Sequence, residues 1–193
     1  SKHKWTKGDR KTSMSLVWQT LHYNKGQFDP RYRDIVDPEP HFDIVIEEDW
    51  AKYEYTMPDG KVIEGQLAIK GTIDLVTKVD DNIIEVIDWK TGRRLDWATG
   101  EEKTYEKLQK DTQLLLYYYA LKNMYPEREF SISIYYINSG GLFSMAFDEE
   151  DYQKAEDILR KKFEQIRNTQ HPKLLSNKNA HWKCQKLCKF SEP

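Results

Sequence analysis

Residues 71–92 read GTIDLVTKVDDNIIEVIDWKTG, and this stretch decides the fold. Two runs rich in β-branched residues, 69–79 and 83–90, flank the turn-forming triplet Asp80-Asp81-Asn82. The spacing predicts an antiparallel hairpin. With the turn centred on Asp81, Asp74 falls opposite Asp88. Directly opposed residues hold their Cβ atoms roughly 4.5–5.5 Å apart on one face. Lys90, two residues beyond Asp88, projects from that face as well. Simple pairing therefore gathers two carboxylates and an ammonium, and a slip of one residue would scatter them.

Opposed like charges weaken a sheet, so something should compensate. A hard divalent cation, Mg²⁺ or Mn²⁺, suits carboxylate oxygens and commonly holds a phosphate. Such an ion lowers the pKa of its bound water and neutralises charge on a phosphoryl oxygen. Lys90 beside it could orient or deprotonate the water, or touch the phosphate directly. The plain alternative is a surface strand pair with an Asp–Lys salt bridge. Glu85 stands three residues before Asp88, hence on the opposite strand face, and falls outside the cluster.

Working outward, Ser15–Tyr23 carries a helical stripe of Leu16, Val17, Trp18 and Leu21. Asp29-Pro30 and Asp37-Pro38-Glu39-Pro40 read as loop. From His41 the period shortens to about two, with Phe42, Ile44 and Ile46 alternating, then Tyr53 and Tyr55, and Pro58-Asp59-Gly60 makes a turn. The pattern is helical from about Thr104 to Tyr125 and stops at Pro126. Phe130–Ile137 and Leu142–Phe147 form a further hairpin, and Asp148 caps an amphipathic helix that runs to about Asn168. The expected fold is α/β, a central mixed and largely antiparallel sheet flanked by helices.

Composition narrows the class. The 193 residues suffice for one domain with a real core, and 13% aromatic content argues against disorder. Thirty basic against 32 acidic side chains leave a net charge of −2, which neither advertises nucleic-acid binding nor excludes a local basic groove. No run approaches the ~18 apolar residues of a membrane span, and the Lys-rich start lacks a signal-peptide core. Two cysteines make no disulfide scaffold, so a reducing cytoplasm is the expected location.

On the predicted helix, Gln113 and Tyr117 stand four apart and share a face. The combination of G-x-x-D ending at Asp74, I-D-W-K-T-G around Asp88 and Lys90, and Q-x-x-x-Y from Gln113 to Tyr117 resembles the RecB-like/Cas4-like branch of the PD-(D/E)XK nuclease superfamily, which includes phage-type exonucleases. The likeness covers roughly residues 41–140. It implies a restriction-endonuclease-like core and a metal-dependent deoxyribonuclease, with an exonuclease in recombination, repair or phage DNA processing as the first expectation. A structure-specific or restriction-type endonuclease, or a catalytically silent DNA- or protein-binding module, is the alternative. In that likeness Asp74 and Asp88 are the carboxylate ligands, completed by the backbone carbonyl of Trp89. Lys90 is the catalytic lysine, and Gln113 and Tyr117 lie against the site and DNA. Many members add an upstream histidine ligand. His22 is the candidate here, while His41 opens a strand.

The expected organisation is a single nuclease domain over 1–193, with 1–12 a loose basic terminus, 13–40 a helix and loop, 41–170 the core, and 171–193 a basic cysteine-containing tail. In the tail, His181, Cys184 and Cys188 fall close together. Several relatives hold an iron–sulfur cluster with one cysteine upstream and three at the C-terminus. This sequence has two cysteines and neither lies upstream, so four thiolates cannot be assembled. A Zn²⁺ site completed by His171 or a residue past Pro193, a cluster lost by truncation, and two free cysteines all stay open. The expected partner is DNA, as single- or double-stranded ends, contacted by Lys70, Arg93, Arg94, Lys107 and Lys110. Trp89, Trp97 or Tyr118 would stack on unpaired bases. A recombination or helicase partner protein and an oligomer are compatible with this reading, and no membrane is implied.

Overall fold

The computed structural model describes residues 4–95, 100–138 and 141–169. Its centre is a five-stranded sheet in the order β1 (Asp34–Pro38), β6 (Leu75–Lys78), β7 (Ile83–Lys90), β8 (Glu129–Tyr136) and β9 (Gly141–Ala146). All neighbours are antiparallel except β7 and β8, which run parallel. Parallel neighbours need a crossover, and here it carries α2 (Tyr105–Gln109) and α3 (Thr112–Met124). The sheet is thus mixed and mostly antiparallel with helices against it, as the sequence predicts.

Each face of the sheet is apolar for its own reason. On one face Val76, Ile84, Val86, Ile132, Ile134 and Met145 pack under α3, with Leu114, Tyr118 and Leu121 filling the layer between. Helix α4 (Glu149–Arg167) lies alongside α3 and contributes Ala155 and Leu159. Its start is fixed by a capping box between Asp148 and Asp151. On the other face Leu75, Ile87 and Tyr135 pack with Phe28, and Trp89 joins them at the C-terminal end of β7. Between β1 and β6 the chain makes two separate antiparallel ribbons, β2 (His41–Val45) with β5 (Ala68–Thr72), and β3 (Lys52–Thr56) with β4 (Val62–Gln66).

Four differences from the sequence reading have physical causes. The segment at Asp37-Pro38 is an edge strand rather than a loop, because a proline at the rim gives up no interior ladder bond. The run 69–79 is broken at Ile73-Asp74 into β5 and β6, where the Ile73 N–H turns to the Pro40 carbonyl. The helix expected over 104–125 is two helices, because Asp111 accepts the Gln113 N–H and so starts α3 afresh. Helix α1 spans Lys7–His22, reaching back into the segment read as a loose terminus, and Thr6 and Asp9 cap it reciprocally. Among the described residues no helix is long and apolar enough to cross a membrane.

Candidate metal centre and its neighbours

The register of β6 on β7 pairs Leu75 with Ile87 and Thr77 with Glu85, which sets Asp74 opposite Asp88 just beyond the end of the ladder. Strand β6 begins only at Leu75, and before it the Asp74 carboxylate serves as acceptor: Trp89 N–H donates to Asp74 Oδ2 at 2.8 Å. Asp88 is 2% exposed. Lys90 Nζ lies 2.7 Å from its Oδ2 and 3.0 Å from its Oδ1, but only the Oδ1 approach has hydrogen-bond geometry. Asp88 Oδ2 is therefore a buried carboxylate oxygen with an ammonium beside it and no hydrogen bond. Burial pushes the Asp88 carboxyl above its usual range, Lys90 pulls it back, and Asp74 and Asp111 push it up further.

Helix α3 reaches the same spot from above. Gln113 Oε1 is 3.4 Å from Lys90 Nζ, and Gln113 Nε2 donates to Tyr117 Oη at 2.8 Å. The Tyr117 hydroxyl then donates to the Thr72 carbonyl at 3.2 Å, two residues before Asp74. With its amide nitrogen committed to Tyr117, Gln113 turns its oxygen toward the ammonium. Burial raises the Tyr117 phenol above its ordinary value, with the Asp88 carboxylate adding to the shift. The fold thus brings Asp74, Asp88, Lys90, Gln113 and Tyr117 into one connected group.

Two carboxylates and a backbone carbonyl are hard oxygen donors, and an unbonded buried carboxylate oxygen is a ligand position in waiting. The donor set suits Mg²⁺ or Mn²⁺, which keep several waters when held by one or two carboxylates. Among the described residues no group of three or more His, Cys, Asp or Glu side chains could hold a metal. His22 is therefore not gathered into such a group with Asp74 and Asp88; its Nδ1 is 2.8 Å from the Trp18 carbonyl and its ring stacks on Trp18 at 4.4 Å. His171, His181, Cys184 and Cys188 lie outside the described residues, as does Trp97.

The basic side chains expected to meet DNA divide into two sets. Lys70 pairs with Asp43 on the β2–β5 ribbon, Lys107 pairs with Glu101, and Arg94 pairs with Glu102 while its guanidinium lies 4.8 Å over the Phe143 ring. Arg93 and Lys110 are exposed and make no ion pair among the described residues. Two aromatics named for stacking are committed elsewhere. Trp89 packs edge-on against Phe28 and Tyr135, and Tyr118 is 2% exposed beside Phe147.

Sequence reasoning passed over Asp111. Asp111 splits its oxygens between the Gln113 N–H and Lys103 Nζ at 3.0 Å, so it holds the end of α3 that carries Gln113. An Asp ahead of Thr-Gln-Leu-Leu is a helix-start signal that could have revealed it. Glu85 faces away from the site, as its parity requires, and is paired with Arg33 and hydrogen-bonded by Ser133. Nothing in the local sequence pointed to Arg33 as its partner.

A family model for the PD-(D/E)XK nuclease superfamily matches residues 2–192. Among solved structures, a protein of Eubacterium rectale described as a candidate exonuclease is similar with a TM-score of 0.48 and 10% identity. The match covers 89% of this chain and 59% of that one, so the chain spans less than two thirds of that protein's length. A second structure, of SSO0001, is similar with a TM-score of 0.34 and 16% identity, over 95% of this chain and 67% of that one. No curated protein matches the chain in sequence.

Proposed function

The chain belongs to the PD-(D/E)XK nuclease superfamily, and on that premise we propose that it is a divalent-metal-dependent deoxyribonuclease acting as an exonuclease in recombination, repair or phage DNA processing. The observation that carries this reading is the buried, unbonded Oδ2 of Asp88, held opposite Asp74 with Lys90 Nζ beside it. Asp74, Asp88 and the Trp89 carbonyl would hold Mg²⁺ or Mn²⁺. When bound, the ion supplies charge neutralisation at the phosphate and a more acidic water.

The chain's own groups do the rest. Lys90 Nζ, a third exposed, faces the open side of the site and donates to the attacking water or to a non-bridging phosphate oxygen. The water's oxygen forms the new bond to phosphorus as the bond to the leaving deoxyribose oxygen breaks in line, the water giving up a proton to solvent and the leaving oxygen taking one from solvent. Gln113 fixes the direction of the ammonium, and Tyr117 fixes Gln113 by tying it to the main chain before Asp74. Arg93 and Lys110 meet flanking phosphates, which positions the strand without reading its sequence.

The test offers end-labelled linear DNA and a closed circle to the protein in Mg²⁺ and in Mn²⁺. Shortening of linear DNA with circles left intact is the expected result. Cut circles would make it an endonuclease, and no cutting in either metal would leave a silent nuclease-fold module.

A further inference from the structure

The register carries the active face of the sheet well past the carboxylates. Asp88 on β7 is paired with Ile134 on β8, and Ile134 is paired with Phe143 on β9. The three residues form one row across the sheet, and directly paired residues project from the same face. Phe143 thus stands two strand spacings, roughly 10 Å, from Asp88 on the same face. In the next row Lys90 is paired with Tyr136, whose ring meets Phe143 edge-on at 6.2 Å.

Phe143 does not stand alone. The Arg94 guanidinium lies 4.8 Å over its ring, with Glu102 gripping the guanidinium edge. Tyr105, 44% exposed at the start of α2, places its ring 6.5 Å from Phe143 and donates its hydroxyl to the Ser144 carbonyl. A tyrosine so exposed is ordinarily mobile, but this one is anchored to a strand. Arg94 is likewise only 21% exposed and has a buried Nε with no partner. The result is a preorganised cluster in which Phe143 backs the Arg94 guanidinium and the Tyr105 ring stands beside it, tilted 48° to Phe143, within a neighbouring nucleotide's reach of the carboxylates.

We propose that Phe143, Tyr105 and Arg94 form a stacking platform for an unpaired base of single-stranded DNA, adjacent to the reacting phosphate. The inference rests on the nuclease reading and adds the substrate class to it. Bases stack on aromatic rings and on guanidinium planes without regard to sequence, because every base has a π face. A base held in a duplex is already stacked on both sides and has no face to give. The platform therefore selects strand state rather than sequence. Trp89 and Tyr118 cannot fill this role, since Trp89 stands on the opposite face of the sheet against Phe28 and Tyr135, and Tyr118 is buried beside Phe147.

Fluorescence anisotropy of a labelled oligothymidylate and of a blunt duplex, in Ca²⁺, tests this. Phe143→Leu and Tyr105→Leu should each weaken oligothymidylate binding about tenfold, within the range for losing one stacked base, and leave duplex binding unchanged. Tyr105→Phe, which keeps the ring and loses the anchor, should stay closer to wild type. An oligomer of abasic sites should bind wild type and Phe143→Leu equally. Thermal melts of each variant confirm that the protein compared is folded, and Arg94→Gln provides a second substitution should Phe143→Leu unfold.

The platform is overturned if folded variants bind oligothymidylate as wild type does. It is overturned equally if single-stranded and duplex affinity fall together, or if wild type binds no single strand. The readout is binding, so a protein that cuts nothing in Mg²⁺ or Mn²⁺ yet shows the strand-selective loss would refute the nuclease reading and keep the platform.

Discussion

Trp89 donates its backbone N–H to the side chain of Asp74 at 2.8 Å, across the end of the β6–β7 hairpin. One carboxylate thereby does the work of a strand carbonyl and is locked in place beside Asp88. The bond explains how Asp74 stays aligned although β6 begins only at Leu75. It also leaves the other Asp74 oxygen for a ligand. Removing the side chain should loosen both functions: Asp74→Ala is expected to weaken Mn²⁺ binding and to destabilise by about 1 kcal/mol for the lost bond. Calorimetric titration with Mn²⁺ and chemical denaturation check the two effects separately.

Asp88 should cost the metal-free protein stability. Its carboxyl titrates above the usual value in the folded chain, chiefly because of burial. Below the unfolded-state value of about 3.9 the group is protonated in both states and there is no penalty. As pH rises from there through the raised folded value, the unfolded chain sheds its proton more readily and the folded state loses ground, and above that window the penalty is constant. Asp88→Asn in EDTA should therefore melt higher than wild type at neutral pH and equally at acid pH. Equal melting at both would contradict the assigned cause.

Gln113 and Tyr117 should behave as one unit. Tyr117→Phe removes the hydroxyl that joins Gln113 to the Thr72 carbonyl, and Gln113→Ala removes the contact to Lys90. Each should lower the cleavage rate by a similar factor, about tenfold for roughly 1.4 kcal/mol. The double variant should be no worse than either single one. Multiplied losses would mean that the two side chains act independently.

Gly71 owes its place to packing. A Cβ there would meet the Phe42 ring at 2.4 Å, because the far end of its cross-strand partner's ring lies over the glycine. Gly71→Val should displace Phe42 from the core and destabilise by about 1–3 kcal/mol. A urea melt with an unchanged midpoint would sink this account of the glycine in G-x-x-D.

The hairpin was legible in the sequence because Asp80-Asp81-Asn82 leaves few ways to close the turn, and Asp80 Oδ1 indeed takes the N–H groups of Asn82 and Ile83. The face shared by Asp74, Asp88 and Lys90 follows from that turn and a period of two. Helix α4 was legible through Asp148 as its cap and its Ala155, Leu159 and Phe163 stripe, and the structure adds the reciprocal bond to the Asp151 side chain. Other features depend on partners far away in sequence. That Arg94 turns back onto Phe143 and Glu102, or that Glu85 meets Arg33, is set by tertiary packing, which no local period encodes. The break between α2 and α3 was obscured because both segments favour helix, and one capping aspartate decides the division.

The most direct test of the metal-centre account compares wild type with Lys90→Ala in two measurements on the same preparations: Mn²⁺ binding by calorimetry and shortening of end-labelled linear DNA. Asp74 and Asp88 are assigned the metal and Lys90 the chemistry. Lys90→Ala should therefore still bind Mn²⁺ while its cleavage rate falls at least about a hundredfold, the scale of a lost proton-transfer or charge-stabilising group. Cleavage by Lys90→Ala at the wild-type rate would contradict the account.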